Sequence, residues 1–508
     1  MKRFDFAFVL ILFIAAFMLY VRTLASSLLY GDSAEFQTIA YTLGVGHPTG
    51  YPIYVLLAKL FTFLPVSDVA YRVNLFSAFS AALTVTLVYL ITRKLGAANS
   101  AAMYGSLVLA LMPLFWKHAS IAEIYAPSAA CLALVLFFVL QWKATNKPGW
   151  LFLAGLFGGL SLGIHTTVAL SAIAILLFLL LSTRHRVDWS HASLGAFVGI
   201  IIFLSSFFLL DFLNASAGYF NMAIRPSLSV WDMTQADFDS PFERLAFLYF
   251  PPQFKGQFFS VFPNEIRVRL RDFAADVSWN LLLAFIGLVS LLVSRKDSPS
   301  RWRESILLIV ALITVITFAI TYNVFDFHVY YIPAVLVLAI FVGLGVSAII
   351  EVAALIPNLP HFVPVALGMV ILFLGFYPSM GDVILYWRER IPPGLEDWEA
   401  YFYAYPNTRK FEVEEAVKGI EDNAIVFTDW DRAYGFYYVA HVLQGRTGMD
   451  FHETYPQEGV TQFADSAIQY IAANIESRPI YFSERPSQLA SKYRITRAGS
   501  HLFRIEKK

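Results

Sequence analysis

Two carboxylates near the start of the chain have the residue type and spacing for acid–base chemistry. Asp32 and Glu35 lie three residues apart in the segment GDSAEF, residues 31–36, so both would share one face of a helix that begins there. Such a pair could deprotonate a hydroxyl group or hold a cation. The same spacing ahead of an apolar helical run also fits a capping box, in which the side chains bind free backbone N–H groups. The spacing leaves both interpretations open.

Histidines, aromatic residues and further carboxylates flank the apolar segments of the chain. His47 and Tyr51 lie in the turn-like segment GHPTGYP, residues 46–52. Later candidates of the same kind are Glu123, Tyr125, His165 and His328. Each of them alone is more often an anchor at the membrane interface than a catalyst. All of them fall on one side of the membrane in the topology given below, which favours a shared site.

The elements that must position these residues are predicted to be membrane helices. Of 508 residues, 58% are hydrophobic and only 15% are charged, and the mean hydropathy is +0.60, far from the values of soluble proteins. The net charge is zero and no basic run is present, which argues against nucleic acid as a partner. The single cysteine, Cys131, excludes an intramolecular disulfide. The composition therefore predicts an α-helical polytopic membrane protein.

Apolar segments long enough to cross the bilayer predict about eleven transmembrane helices. They are residues 5–24, 73–92, 100–116, 120–141, 150–164, 166–182, 192–212, 277–294, 304–321, 330–355 and 361–378. Basic residues gather at alternate turns between these segments, and basic loops stay in the cytoplasm. These residues are Lys2, Arg3, Arg93, Lys94, Lys143, Lys147, Arg184, Arg186, Arg295, Lys296, Arg301 and Arg303. We therefore expect an inner or plasma membrane protein with a cytoplasmic N-terminus.

The distribution of charge divides the chain into two predicted domains. Residues 381–508 contain 34 of the 74 charged residues and are expected to form a soluble extracytoplasmic domain. Residues 1–380 are expected to form the membrane domain, with large outward loops at 25–72 and 213–276. Helical and strand patterns alternate in the last region, which predicts a small α/β domain. Its segment DWD, residues 429–431, follows a predicted strand and could bind a ligand, but a helix N-cap is the favoured interpretation.

The motifs of the first loop resemble those of one family of membrane proteins. GDSAEF, GHPTGYP and RVNLFSA (residues 72–78) are similar to segments of the protein O-mannosyltransferase-like family, formerly catalogued as a domain of unknown function. Animal members of this family are linked to O-mannosylation of receptor ectodomains. The layout also resembles the GT-C superfamily of glycosyltransferases, which use polyprenyl-phosphate sugars and carry an acidic residue or pair in the first outward loop. The resemblance covers residues 1–180 well and residues 320–350 moderately.

The resemblance implies an inverting glycosyltransferase. Such an enzyme would move a sugar, with mannose favoured, from a polyprenyl-phosphate carrier to an acceptor hydroxyl, with protein Ser/Thr favoured, at the outer face of the membrane. Asp32 is implied as the general base, and Glu35 as a catalytic residue that orients the loop or the acceptor. Residues expected to bind the substrates, the leaving phosphate included, are His47, Tyr51, Lys59, Glu123, Tyr125, His165, Arg225 and His328.

The resemblance also sets the expected cofactors and partners. No cofactor is obligatory, because the donor has no nucleotide leaving group that needs a metal, and no metal ligands are assigned; dependence on a divalent metal stays open. The expected partners are the lipid bilayer, the lipid-linked sugar donor and a protein or glycan acceptor.

Two other classes of protein stay open. A transporter or flippase would show inverted repeats and ion-pair residues at mid-membrane depth. The sequence shows no repeat, its candidates cluster at one membrane face, and only the helix break at His165 is typical of transporters. A non-catalytic assembly factor would leave Asp32 and Glu35 as helix caps.

Overall fold

Helices make up most of the computed structural model, which describes residues 3–293, 301–355, 360, 362–457, 459–499 and 502–508. Its α-helices are α1 (Arg3–Arg22), α2 (Gly31–Thr42), α3 (Pro52–Phe61), α4 (Val69–Lys94), α5 (Asn99–Leu111), α6 (Pro113–Ala119), α7 (Tyr125–Thr145), α8 (Gly149–Ser161), α9 (Ala172–Ser182), α10 (Arg186–Leu213), α11 (Pro241–Tyr249), α12 (Pro263–Val277), α13 (Asn280–Leu292), α14 (Arg301–Thr321), α15 (Ile332–Ala354), α16 (Phe362–Glu389), α17 (Asp397–Ala404), α18 (Thr408–Val417), α19 (Trp430–Tyr437) and α20 (Asp465–Asn474). Its strands are β1 (Ile425–Thr428), β2 (Asp450–Glu453), β3 (Ile480–Phe482), β4 (Tyr493–Ala498) and β5 (Leu502–Lys507). Each predicted membrane segment overlaps one of these helices, which confirms the mostly helical fold.

Five helices among the described residues are long and apolar enough to cross a membrane. They are α4, α7, α10, α14 and the segment Phe327–Ala354 that contains α15. Two bent pairs, α5 with α6 at 67° and α12 with α13 at 90°, raise the number to seven if each pair is one span. Shorter apolar helices include α8 and the segment Thr166–Ser182, on either side of the predicted break at His165. The count of eleven spans and their orientation stay predictions.

Some of the predicted features fall outside the described residues. The expected span 277–294 ends at residue 294, and the expected span 361–378 begins at residue 361, neither of which is described. Three of the basic loop residues, Lys2, Arg295 and Lys296, also lie outside the described ranges.

Glycines let two of the membrane helices cross in close contact. A Cβ atom on Gly287 in α13 would lie 1.9 Å from the carbonyl oxygen of Phe341 in α15. In the same crossing, a Cβ atom on Gly345 would lie 2.0 Å from the carbonyl oxygen of Leu283. No larger side chain fits at either position, so the two backbones pack directly against each other, as small residues permit in membrane helix pairs. This contact fixes α15, whose preceding turn contributes to the site described below.

The last quarter of the chain contains a five-stranded sheet with the order β2-β1-β3-β5-β4. β1 lies parallel to both β2 and β3, while β5 is antiparallel to β3 and β4. All five strands lie in the region whose alternating helical and strand pattern predicts an α/β domain. Ile425, Phe427 and Ile480 are buried in the hydrophobic core of this sheet. Because its parallel strands share one carboxyl edge, the loops after them meet there.

The sheet region packs directly against both of the large loops that are predicted to face outward. α19 lies on α2 of the first loop, where the Thr38 hydroxyl donates a hydrogen bond to the Tyr434 carbonyl at 3.1 Å. On the second loop, the Asn221 carbonyl accepts a hydrogen bond from Nδ1 of His452 at 3.0 Å. The carboxyl edge of the sheet is thereby brought next to Asp32 and Glu35.

Candidate active site

α2 holds the two carboxylates of the first loop, and it begins without help from their side chains. Gly31, with φ of +51°, turns the chain into the helix. The N-cap residue of α2, Tyr30, makes no side-chain capping hydrogen bond. Neither Asp32 nor Glu35 caps the helix, so the capping-box interpretation is wrong. Both side chains instead approach His47, which places them on one face of α2 as their spacing predicts.

Glu35 is fully buried and accepts hydrogen bonds from three donors. The backbone N–H of His47 donates to Oε1 at 2.7 Å, and Nδ1 of the same residue donates to Oε2 at 2.5 Å. The hydroxyl of Tyr434, from α19, donates to Oε1 at 3.0 Å. The side chain of Glu35 has no exposed surface, so it cannot touch a substrate. Its contacts fix the position of the His47 ring and join the first loop to α19.

The hydrogen-bond geometry around His47 favours an imidazolium ring. The one hydroxyl hydrogen of Tyr51 is donated to the Pro48 carbonyl at 2.7 Å, so the 3.0 Å contact between this hydroxyl and Nε2 of His47 needs a donor on the ring. Nδ1 already donates to Glu35, so both ring nitrogens carry hydrogen. Burial lowers the pKa of His47, but the Glu35 and Asp32 carboxylates outweigh it and raise that pKa to about 10.

Asp32 is the carboxylate of the pair that remains accessible. Its side chain is 41% exposed, and its Oδ2 lies 3.8 Å from Nε2 of His47. The indole N–H of Trp430 donates to its Oδ1 at 3.3 Å. Desolvation raises the pKa of Asp32, whereas the adjacent imidazolium and the indole N–H oppose the rise. Oδ1 thus accepts a hydrogen bond from the protein, and the partial exposure of the carboxylate leaves it accessible to a proton donor.

A second group of side chains from distant segments completes the wall of the site. The Ser33 hydroxyl, next to Asp32 in the sequence, donates to Glu123 at 3.1 Å. The ring of His165 lies 6.4 Å from the ring of Tyr51 and 5.7 Å from that of Tyr125. The predicted candidates Glu123, Tyr125 and His165 therefore join the first-loop residues.

Asp326 and Tyr330, just ahead of α15, close this wall. Asp326 accepts a hydrogen bond from the Tyr125 hydroxyl at 3.3 Å, and the ring of Tyr330 lies 5.9 Å from that of His165. The segment that contains the predicted candidate His328 thus contributes to the site through Asp326 and Tyr330 rather than through His328.

Three of the predicted substrate-binding residues have their described contacts elsewhere. Lys59 donates to the Tyr41 carbonyl at 2.5 Å and lies over the ring of the same tyrosine. The ring of His328 lies 3.8 Å from the ring of Phe327. Nε of Arg225 is buried, and no described residue forms a hydrogen bond with it. The structure does not bring these three residues to Asp32.

Two residues of the site, Trp430 and Tyr434, were not predicted from the sequence as partners of the carboxylates. They lie 398 and 399 residues away from Asp32 and Glu35, respectively, and no local pattern signals such contacts. The predicted N-cap role of Asp429 is confirmed, because its side chain accepts from the Arg432 N–H at 3.0 Å. This cap begins α19 and so places the indole of Trp430 on Asp32.

The same residues could also hold a divalent cation. One ligand atom each from Asp32, Glu35 and His47 lies within 4.8 Å of the others, and carboxylate and imidazole are common ligands of Zn²⁺ and Mn²⁺. A metal here would replace the hydrogen bond between Nδ1 of His47 and Glu35, or use Nε2 in place of its contact with Tyr51.

Comparison with solved structures gives the class of fold. ArnT from Cupriavidus metallidurans, bound to undecaprenyl phosphate, superposes with a TM-score of 0.57 at 13% identity, over 98% of both chains. The archaeal oligosaccharyltransferase AglB from Archaeoglobus fulgidus, in complex with an inhibitory peptide and a dolichol-phosphate, superposes with a TM-score of 0.52 at 13% identity, over 100% of this chain and 75% of that one. The chain therefore has the fold of GT-C glycosyltransferases, as the first-loop motifs predicted.

Comparison of sequences connects the membrane region with a particular family. Residues 32–189 match the family described as the Protein O-mannosyl-transferase TMEM260 N-terminal domain. The mouse Protein O-mannosyl-transferase TMEM260 is 31% identical over 166 residues, which are 32% of this chain. The match spans about a quarter, 24%, of the length of that relative. The matched residues include Asp32, Glu35, His47 and His165, so the predicted resemblance is confirmed where the site is formed.

Proposed function

We propose that this chain is an inverting glycosyltransferase that moves a sugar from a polyprenyl-phosphate carrier to an acceptor hydroxyl, with Asp32 as the general base. One observation carries the proposal: the partly exposed carboxylate of Asp32 lies beside the partly buried ring of His47, at the junction of the first loop and α19. The O-mannosyl-transferase relatives and the lipid-phosphate complexes of the fold neighbours support the same chemistry. They also make mannose the favoured sugar and protein Ser/Thr the favoured acceptor.

The chemical step is a single displacement at the anomeric carbon. The acceptor oxygen forms a bond to that carbon as its proton moves to Oδ2 of Asp32. At the same time the bond between the anomeric carbon and the phosphate oxygen breaks, and the lipid phosphate leaves with the electron pair. Attack from the face opposite the leaving group inverts the anomeric configuration, so no covalent enzyme intermediate is needed.

His47 and Glu35 act through Asp32 rather than on the substrate. The imidazolium favours the ionised form of Asp32, because its charge opposes the effect of desolvation on the Asp32 pKa. Glu35 is fully buried and stabilises that imidazolium, so we assign it a positioning role. The imidazolium thus limits the rise of the Asp32 pKa that desolvation causes.

The leaving phosphate is expected to lie against the second wall of the site. His165 is held through Nδ1 by the Thr167 hydroxyl at 2.6 Å, and its ring lies near those of Tyr125 and Tyr330. The ring of His165 and the hydroxyl of Tyr330 can donate hydrogen bonds to phosphate oxygens, whereas the Tyr125 hydroxyl donates to Asp326. Lys59, Arg225 and His328 are not needed for this arrangement.

The proposal also covers the orientation of the chain in the membrane and its division into two domains. Residues 1–380 bind the lipid carrier within the bilayer, and residues 381–508 lie outside the membrane above the site. Transfer then takes place at the outer face, where the water-poor cleft also limits hydrolysis of the donor.

The proposal is tested by following a labelled sugar. Full-length protein in lipid nanodiscs is incubated with polyprenyl-phosphate [³H]mannose or GDP-[³H]mannose and a Ser/Thr-rich peptide. We expect label in the peptide only with the lipid-linked donor, and nuclear magnetic resonance should show an inverted anomeric configuration. In liposomes, movement of the labelled lipid across the bilayer without transfer to any acceptor would contradict the proposal and support the flippase alternative.

A further inference from the structure

Two adjoining cavities lie at the carboxyl edge of the sheet, directly beside the candidate active site. They have volumes of about 690 and 300 Å³ and share the lining residues Asp429, Asp431 and Ser483. We call them together the carboxyl-edge cleft. It lies over β1, whose two parallel neighbours, β2 and β3, flank it on either side. In open α/β sheets the crevice at such a position is the usual place for a ligand.

The carboxyl-edge cleft is continuous with the surroundings of Asp32. Tyr30, which precedes the first turn of α2, lines the larger cavity. A Cβ atom on Gly31 would meet the carboxylate of Asp431 at 3.6 Å. Trp430 lines the smaller cavity and donates its indole N–H to Asp32. These contacts place the carboxyl-edge cleft next to Asp32.

The charges of the cleft select for a cationic ligand. Two of its arginines are paired with lining carboxylates: Arg432 contacts Asp429 at 3.4 Å, and Arg409 contacts Glu412 at 3.9 Å. The lining carboxylates Asp431, Glu453 and Glu484 form no ion pair with any residue in the described ranges. Arg485 is the remaining cation of the lining. Negative charge is therefore left in excess.

The environment of Glu453 also favours a cationic ligand. It is half-buried at the end of β2, and burial together with the charges of Asp429 and Asp431 raises its pKa to about 8. A cationic group bound nearby would favour its ionised form. A positively charged group would therefore be stabilised beside Glu453.

We infer that the carboxyl-edge cleft binds the acceptor as a polypeptide segment with a basic side chain near the reacting Ser or Thr. This inference rests on the proposed function and names the acceptor class for the same site. Lys or Arg of the acceptor would lie at Asp431 and Glu453, and the hydroxyl would reach Oδ2 of Asp32. Glycan hydroxyls could donate hydrogen bonds to these carboxylates, but only a cationic side chain would also neutralise their charge. The charge pattern therefore favours the polypeptide.

The inference is tested by binding, independently of turnover. The full chain in nanodiscs is titrated into a short fluorescent peptide with a central Ser-Thr pair flanked by lysines, or into its glutamine-flanked counterpart, and anisotropy is recorded. We expect tighter binding of the lysine peptide, and loss of this preference by roughly 3- to 30-fold in the double variant Asp431→Asn, Glu453→Gln. Glu415→Gln, an exposed carboxylate of α18 outside the cleft, is the matched control and should keep the preference.

The result also separates the inference from the proposed function. Equal affinity for the two peptides, or a preference that the double variant retains, would overturn the inference. Sugar transfer to a glycan but to neither peptide would overturn it while leaving glycosyl transfer intact. Charge-selective peptide binding without any sugar transfer would support the peptide-binding site and refute the proposed glycosyltransferase activity. Each single variant, Asp431→Asn and Glu453→Gln, is measured as well, with its thermal midpoint, so that a folding defect is recognised.

Discussion

Replacement of Glu35 by glutamine is expected to destabilise the protein in a pH-dependent way. Glu35 is buried and accepts two hydrogen bonds from His47 and one from Tyr434. Glutamine keeps the size of the side chain and one acceptor oxygen, but it removes the charge that stabilises the imidazolium. The substitution therefore isolates the ion pair from the packing around it.

The pKa of His47 gives the size of the effect. A rise from 6.5 to about 10 corresponds to roughly 5 kcal/mol, at about 1.4 kcal/mol for each tenfold change. Glu35 contributes the larger part, roughly 3 kcal/mol, because its contact with the ring is 2.5 Å and that of Asp32 is 3.8 Å. Because the pKa of His47 is raised by folding, this stabilisation is complete below pH 6.5 and is lost as the pH rises through about 10.

The assay is thermal unfolding of the full chain in detergent, followed by tryptophan fluorescence at pH values of about 6, 8 and 10. For a chain of 508 residues, a loss of about 3 kcal/mol lowers the midpoint by about 3 °C. We expect the midpoint of Glu35→Gln to be lower than that of the wild type by this amount near pH 6. Near pH 10 the two midpoints should be equal. Glu415→Gln should leave the midpoint unchanged throughout. A difference between the two midpoints that stays constant or widens as the pH rises would refute the assignment of His47 as an imidazolium.

Three further outcomes are expected. Trp430→Phe removes a hydrogen bond that lowers the Asp32 pKa, so the acid limb of the pH–rate profile should move to higher pH while the alkaline rate is retained. Tyr434→Phe leaves Glu35 with one donor fewer and should reduce stability by about 1–2 kcal/mol in chemical denaturation; an unchanged midpoint would contradict the buried hydrogen bond. Transfer should persist in EDTA, because Glu35 already engages the ring of His47; loss of the rate and its recovery with Mn²⁺ would instead make these residues metal ligands.

The local part of the site could be predicted from the sequence because its residues are close along the chain. Asp32 and Glu35 share a helix face by their spacing, and His47 returns to them through the turn that follows α2. The spacing could not decide between a cap and a catalytic pair. That choice depends on where α2 begins, and the backbone of Gly31 sets this point without a side-chain cap.

The contacts between distant segments could not be predicted. Trp430 and Tyr434 reach the carboxylates because α19 packs on α2, and no local pattern carries this information. His328 was a reasonable candidate by type, but it lies in a short 3₁₀ turn, Phe327–Tyr331. Residues two apart in such a turn face different directions, so Tyr330 lies beside the ring of His165 while His328 lies on Phe327.

The most direct test of the proposed mechanism is the rate of sugar transfer by Asp32→Asn. Asparagine keeps the shape of the side chain and an acceptor for the Trp430 indole, but it cannot take a proton at neutral pH. We expect transfer from polyprenyl-phosphate mannose to fall by about 100-fold or more, with donor binding and the thermal midpoint close to wild type. Transfer at the wild-type rate would show that Asp32 is not the base and would contradict the proposed mechanism.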